Sequence, residues 1–252
     1  MKKKNLKKPF FSIITVVKND QSNIQKTIKC IISQNYKNFE YIIIDGKSED
    51  NTIKRINIYK KKISHILSEK DDGIYFAMNK GIKLAKGNVL LFVNSGDIIT
   101  KNALSIIHDL FIKNNKIDFI FGTVKRNYTT SVIIKSGYNK KRLNYNFDFA
   151  TSHSTGFFIK LKSLKKVGKF KTKYKCSADY DLYYRAIIKK KLKGISTNKN
   201  NIIGIMKSGG HSSKFSFFQH LLEESKIRYD NGQNIFFIFL IFLNAIFKNL
   251  LK

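Results

Sequence analysis

The sequence predicts an α/β domain organised around a mostly parallel sheet. Two observations carry this. Short apolar runs of strand length alternate with apolar residues at helical spacing through the first hundred positions, and the early runs end in polar, oxygen-bearing residues. Strands separated by helices need crossover connections, and such connections make the strands parallel.

The elements follow in order. Residues 10–17, FFSIITVV, form the first strand candidate, and Ile24, Ile28, Ile31 and Ile32 then recur at helical spacing. Residues 39–45, FEYIIID, make a second strand. Ser48 or Asp50 can cap a helix carrying Ile53, Ile56 and Tyr59, after which residues 64–69, SHILSE, make a short strand. A helix from about Ile74 ends near Gly87, and NVLLFVNSGD, residues 88–97, supplies the fourth strand. Later segments DFIFGTVKR, SVIIKSG and HSTGFFIK read as further strands of a mixed sheet, and SADYD precedes a helix.

Composition narrows the function classes. The 252 residues are 42% hydrophobic and 13% aromatic, enough for a substantial core and unlike a disordered chain. Cys30 and Cys176 show neither a metal-ligand spacing nor a disulfide framework, which suits a reducing compartment. The basic start, MKKKNLKKPFFSIITVV, has a short, strand-like apolar part without a small-residue cleavage site, so no signal peptide is expected. The net charge of +31 invites a nucleic-acid reading, but the lysines are spread along the whole chain. A solvated basic surface with affinity for anionic membranes is expected instead, with no nucleic-acid partner. Seven of the 17 carboxylates fall between Asp45 and Asp97, and that window is where chemistry is expected.

In an open parallel sheet, ligands bind in the crevice outside the carboxyl ends of the strands. The first strand ends near Thr15, Lys18 and Asn19, the second near Asp45 and Ser48, the third near Glu69 and Asp71, and the fourth near Asn94 and Asp97. Turns explain any one of these. Four on one edge suggest a polar ligand, and the acids suggest a metal ion or hydroxyl-rich groups. Neither GxGxxG nor GxxxxGK[ST] occurs, so the usual phosphate cradles are absent.

FSIITVVKN, IIIDGKSEDNT, SEKDDGIYFAMNKGIKLAKGNVLLFVNSGD and SADYDLYYR resemble family 2 glycosyltransferases, particularly bacterial enzymes of surface-polysaccharide synthesis. The resemblance spans roughly residues 9–215, with residues 68–97 its most specific part. It implies a GT-A fold, Rossmann-like with a mostly parallel central sheet flanked by helices, a nucleotide-sugar donor and a divalent metal, Mn or Mg. It also implies a nucleotide-sugar-binding half over about 9–100 and an acceptor half over about 101–215.

Carried over by position, Thr15 and Asn19 lie beside the nucleotide, Asp45 accepts from the uracil or ribose, and Glu69 and Asp71 line the base and donor pocket. Asn79 and Lys80 face the diphosphate, although a solvent-facing Lys80 is an equal alternative. Asn94 belongs to the donor side, and Asp97 matches the metal-holding acid of the family's DxD-type motif. Many relatives carry a second acid where Gly96 stands, which weakens the expected dependence on metal. His211 can add a metal ligand or be a turn histidine. Asp179 matches the base position, Ala178 replaces a common Glu, and Asp181 stands two residues on toward the acceptor; for either aspartate the alternative is a helix cap. His153 can touch acceptor or donor sugar, or be structural.

The implied reaction is inverting transfer to a lipid-linked or growing glycan acceptor. A sugar nucleotidyltransferase and a nucleic-acid-binding protein remain the alternatives. Residues 216–252 form a separate helical tail, with nine unbroken apolar residues from Ile235 to Leu243. Spanning a bilayer takes about 20. The tail is therefore expected to lie on the inner face of the cytoplasmic membrane, dock on the domain, or form a homo-oligomer contact, with Arg228, Lys248 and Lys252 favouring the membrane interface.

Overall fold

A computed structural model describes residues 8–127, 132–140, 143, 154–206 and 209–251. The first strand, β1 (Phe11–Val17), is followed by α1 (Ile24–Ile32), β2 (Phe39–Asp45), α2 (Thr52–Asn57), β3 (His65–Ser68), α3 (Ile74–Leu84) and β4 (Val89–Phe92). Then come β5 (Ile98–Ile99), α4 (Ala103–Lys113), β6 (Phe119–Phe121), β7 (Thr123–Asn127), β8 (Val132–Lys135) and β9 (Phe157–Lys160). The chain continues through α5 (Leu161–Val167), α6 (Ala178–Tyr184), β10 (Gly194–Ser196) and β11 (Ile202–Met206) to α7 (Phe217–Asp230) and α8 (Ile235–Leu250).

Seven strands form the main sheet in the order β10-β6-β9-β4-β1-β2-β3. The pairs β1/β2, β2/β3, β1/β4 and β10/β6 are parallel, and only β9 runs against its neighbours. Four strands, β5-β11-β7-β8, form a second, mixed sheet.

Alternation along the strands explains why their sequences are apolar almost throughout. Ile14, Val16, Ile42, Ile44, Leu90 and Phe92 enter one core with Tyr75, Met78 and Ile82 of α3. Ile13, Val17, Tyr41, Ile43, Val89 and Leu91 enter the opposite core with Ile24, Ile28 and Ile31 of α1 and Leu104 and Ile107 of α4. A parallel sheet covered on both faces needs apolar side chains at every position.

The polar residues inside this sheet hold it together. Ser12 donates to Glu40 Oε1 at 2.6 Å, and the same oxygen accepts from the amides of Lys86 and Gly87. Thr15 Oγ1 donates to Val93 O at 2.7 Å and meets the Tyr41 hydroxyl at 3.0 Å.

The C-terminal segment divides into two helices with different roles. A capping box starts α7: Gln219 N donates to Ser216 Oγ, and Ser216 N donates to Gln219 Oε1. Its Glu223 carboxylate accepts from the amides of Lys175, Cys176 and Ser177 at 2.6–2.8 Å, and its Arg228 is fully buried, stacked near Tyr180 and Tyr184 and donating to Leu143 O. Helix α7 is thus bound into the body of the domain. Only Ile238 and Ile241 of α8 are buried.

The turn into β4 depends on the absence of a side chain. A Cβ on Gly87 would stand 2.7 Å from Phe11 C and Ser12 N, both backbone atoms of the central strand. Gly87→Ala is expected to lower unfolding stability by about 1–3 kcal/mol, measured as a reduced urea midpoint at unchanged slope.

Candidate active site

The parallel register of β1 to β4 brings their carboxyl ends to one edge, where a cleft of about 730 Å³ opens. This is large enough for a ligand of nucleotide-sugar size. From the end of β1 come Lys18, Asn19 and Asp20; from the end of β4 come Asn94, Ser95 and Asp97. The loop after β3 gives Asp71, β7 gives Arg126, α6 gives Asp179, and the turn after β11 gives His211, Ser212 and Lys214.

The NSGD turn has a conformational reason for its glycine. Gly96 sits at φ +94°, a region L side chains rarely adopt, and its amide donates to Thr27 Oγ1 at 2.9 Å. This folds the turn so that Asp97, 4% exposed, receives Thr155 Oγ1 at 2.7 Å on Oδ2 while still lining the cleft. Asn94 donates to Ser154 Oγ, and its buried Oδ1 has no hydrogen-bond partner among the described residues.

Asp71 carries the clearest sign of an expected ligand. Its side chain is 5% exposed, and Lys80 Nζ holds Oδ1 at 2.5 Å. Oδ2 is buried and has no hydrogen-bond partner among the described residues. A buried carboxylate oxygen left in this state is costly, and a donor from a bound molecule removes the cost.

Asp179 opens helix α6. Its Oδ1 accepts the Tyr180 amide at 2.9 Å. Burial pushes the carboxyl up to about 6, against the opposing pull of that amide and of nearby His220. Helix α7 fixes the approach to this group: His220 Nε2 faces Ser212 O at 2.9 Å and its Nδ1 meets Ser177 Oγ at 3.1 Å. One histidine therefore ties the start of α6 to the turn that lines the cleft. His211 is fixed in the same manner, with Nε2 against Lys175 O at 2.9 Å.

Of the residues expected from sequence, Asn19, Asp71, Asn94, Asp97, Asp179 and His211 line one cleft. The others are placed elsewhere, for identifiable reasons. Thr15 is wholly buried in its bonds to Tyr41 and Val93. Asp45 is wholly buried, its oxygens occupied by Ser48 N, Ser48 Oγ and Ser68 Oγ, and the next residue, Gly46, lines the cleft in its stead. Lys80 turns to Glu69 at 2.6 Å and to Asp71, so Lys80 and Glu69 shape the cleft through Asp71 and stand outside its lining. Asn79 bonds both backbone groups of Phe170. Asp181 is wholly buried between Arg185, Lys171 and Asn231. His153 lies outside the described residues.

Sequence reasoning passed over Asp20, Arg126 and Lys214. Asp20 follows Asn19 directly and accepts from Ser95 Oγ at 2.7 Å, a strand-end position like the others. The two cations carried no signal against so basic a background.

The donor set suits a hard divalent cation of the Mn or Mg kind. Among the described residues no three His, Cys, Asp or Glu side chains converge into a protein-only metal cage. One carboxylate, Asp97, with the Asn94 carbonyl and the His211 ring in the same lining, fits an ion that takes most of its ligands from a diphosphate and water.

The model of glycosyl transferase family 2 matches residues 12–171. The chain belongs to that family. Within it, a 90-residue stretch is 38% identical to an uncharacterized glycosyltransferase of Mycobacterium tuberculosis, covering 35% of this chain and 34% of that protein, about a third of the relative's length. A longer match, 25% identical over 181 residues, covers 70% of this chain and 69% of a PGL/p-HBAD biosynthesis glycosyltransferase of the same organism. The fold is that of GT-A glycosyltransferases. Staphylococcus aureus TarS 1-349 in complex with UDP-GlcNAc superposes with a TM-score of 0.72 at 17% identity, covering 94% of this chain and 72% of that one. The mannosyltransferase PcManGT of Pyrobaculum calidifontis, in complex with GDP-Man and Mn2+, gives 0.67 at 12% identity over 95% and 69%.

The raised carboxyl of Asp179 has a consequence for stability. Its ordinary value is 3.8 and its folded value about 6, so the folded protein binds the proton more tightly than the unfolded chain. Stability is then lost as pH rises between the two values. Asp179→Asn is expected to raise stability by at most about 3 kcal/mol at pH 7.5, with the gain vanishing below pH 4, in urea titrations across pH.

Proposed function

We propose that this protein transfers a sugar from a nucleotide-sugar donor, a UDP-sugar, to a hydroxyl of a lipid-linked or growing surface glycan, with inversion at the anomeric carbon. The observation that carries the reading is a single cleft holding Asp97 at a strand end and, in the same lining, Asp179 at the start of α6. A base that titrates close to the working pH is both ionised and strong enough to take a proton.

In this reading the donor diphosphate lies over the carboxyl ends of β1 and β4. Lys18, Arg126 and Lys214 in the lining offset its charge. The unpartnered oxygen of Asp71 accepts from N–H or O–H groups of the nucleoside or sugar. A divalent ion held by Asp97, with His211 beside it, supplies further charge neutralisation to the leaving diphosphate when bound. Asp179 accepts the acceptor's hydroxyl proton as that oxygen bonds the anomeric carbon. The anomeric carbon–oxygen bond to phosphate breaks on the opposite face, its electron pair leaving with the nucleoside diphosphate. UDP as the nucleotide is supported by the likeness to a protein solved with UDP-GlcNAc.

The test is nucleoside diphosphate release from a panel of nucleotide sugars, with and without Mn or Mg. Asp97→Ala is expected to abolish metal-stimulated release. Asp179→Ala keeps donor binding and loses transfer by about 10²–10⁴-fold. In the wild type, kcat/KM rises with pH up to about 6 and then levels, because Asp179 must be ionised to act. Equal activity in all three proteins, or pyrophosphate formed from a nucleoside triphosphate and a sugar phosphate, contradicts the reading.

A further inference from the structure

Helix α8 presents an apolar stripe that stays exposed among the described residues. Phe236, Phe239, Leu240, Leu243, Phe247 and Leu250 are each 45–77% exposed. Their spacing follows the helical repeat, so they share one side of the helix, opposite the side that Ile238 and Ile241 press onto the domain. Exposed large apolar side chains in such number mark an interaction surface. On the preceding helix α7, Phe218 at 55% and Leu222 at 60%, one turn apart, are exposed as well. The start of α7 lies three residues beyond Lys214 of the cleft lining.

Charge selects the occupant. The chain carries 48 Lys and Arg against 17 Asp and Glu, and α8 contains no acidic residue and ends with Lys248 exposed. A second copy would bring the same +31 charge against this face and be repelled. An anionic lipid surface is attracted instead, and accepts apolar side chains below its headgroups. Length decides the orientation. At 1.5 Å per residue the 16 residues of α8 reach about 24 Å, short of the ~30 Å hydrocarbon core, and no helix among the described residues is long and apolar enough to cross a membrane.

We propose that α8, with the exposed edge of α7, lies flat in the headgroup region of an anionic bilayer and holds the cleft beside it. The docking stands apart from the donor chemistry. That the acceptor is carried by the same bilayer rests on the transfer reading above.

The test is cosedimentation of the full chain with vesicles of phosphatidylglycerol and phosphatidylcholine, or of phosphatidylcholine alone, alongside light scattering of the protein in solution. The wild type is expected to bind the anionic vesicles at least tenfold more tightly than the neutral ones, and less tightly as salt rises. Phe239→Glu with Leu243→Glu, both at exposed positions, is expected to lose that binding by at least tenfold while keeping its circular dichroism spectrum and wild-type release of nucleoside diphosphate from soluble donor. Lys248→Glu should weaken the anionic preference alone. Wild-type binding by the double variant, no binding by the wild type, or a dimer that the double variant dissociates overturns the proposal. Loss of donor turnover in every protein while the wild type still sediments overturns the transfer reading and leaves the docking intact.

Discussion

The parallel pairing of β1 with β2 and β4 is the constraint on which the rest depends. It runs in register from Phe11↔Phe39 to Val17↔Asp45, and from Phe11↔Val89 to Ile14↔Phe92. That register makes three chain segments leave the sheet on one side, and a slip of one residue would exchange the two cores and turn every strand-end oxygen away from the cleft. The buried polar groups guard the register. Glu40 receives Ser12 from the neighbouring strand and two amides from the turn before β4, while Thr15 spans from β2 to the residue after β4. Asp45 belongs with them, closing the end of β2 over Ser48 and Ser68.

The first four strands and the helices α1 and α3 were legible because burial on both faces leaves a long apolar signature that no turn imitates. Strands β5, β10 and β11 escaped because two to five residues carry too little pattern, and α4 and α5 were not anticipated either. Helix α7 falls within the expected helical tail, but the sequence left its docking on the domain as one of several alternatives; its polar outer face hid an apolar one that meets α6. In the cleft, polar strand ends located Asn19, Asp71, Asn94 and Asp97, since polar residues at that edge need no periodicity to be seen. What sequence could not distinguish was a carboxylate turned to a ligand from one turned to the protein. Asp45, Asp181 and Asp71 look alike in a line of letters, yet only Asp71 keeps an oxygen without a partner.

Two charge environments coexist in this molecule. The outer surface is strongly basic, suited to anionic partners at long range. Partial burial instead pushes the Asp179 carboxyl up to about 6, and the strand-end acids share its cleft lining. In the proposed transfer, a base and a cation-holding acid in the same cleft, with lysine and arginine for the departing phosphates, would divide the work between groups that need opposite environments.

The central claim is that the strand-end edge grips a nucleoside diphosphate through a cation at Asp97. The direct measurement is a crystal of the protein soaked with UDP and Mn2+, examined by anomalous scattering. The account predicts one manganese peak within coordination distance of the Asp97 carboxylate, bridging to the diphosphate, with the nucleoside extending toward Asp71. Manganese and UDP bound away from both aspartates, or UDP absent from the cleft at saturating concentration, would contradict it.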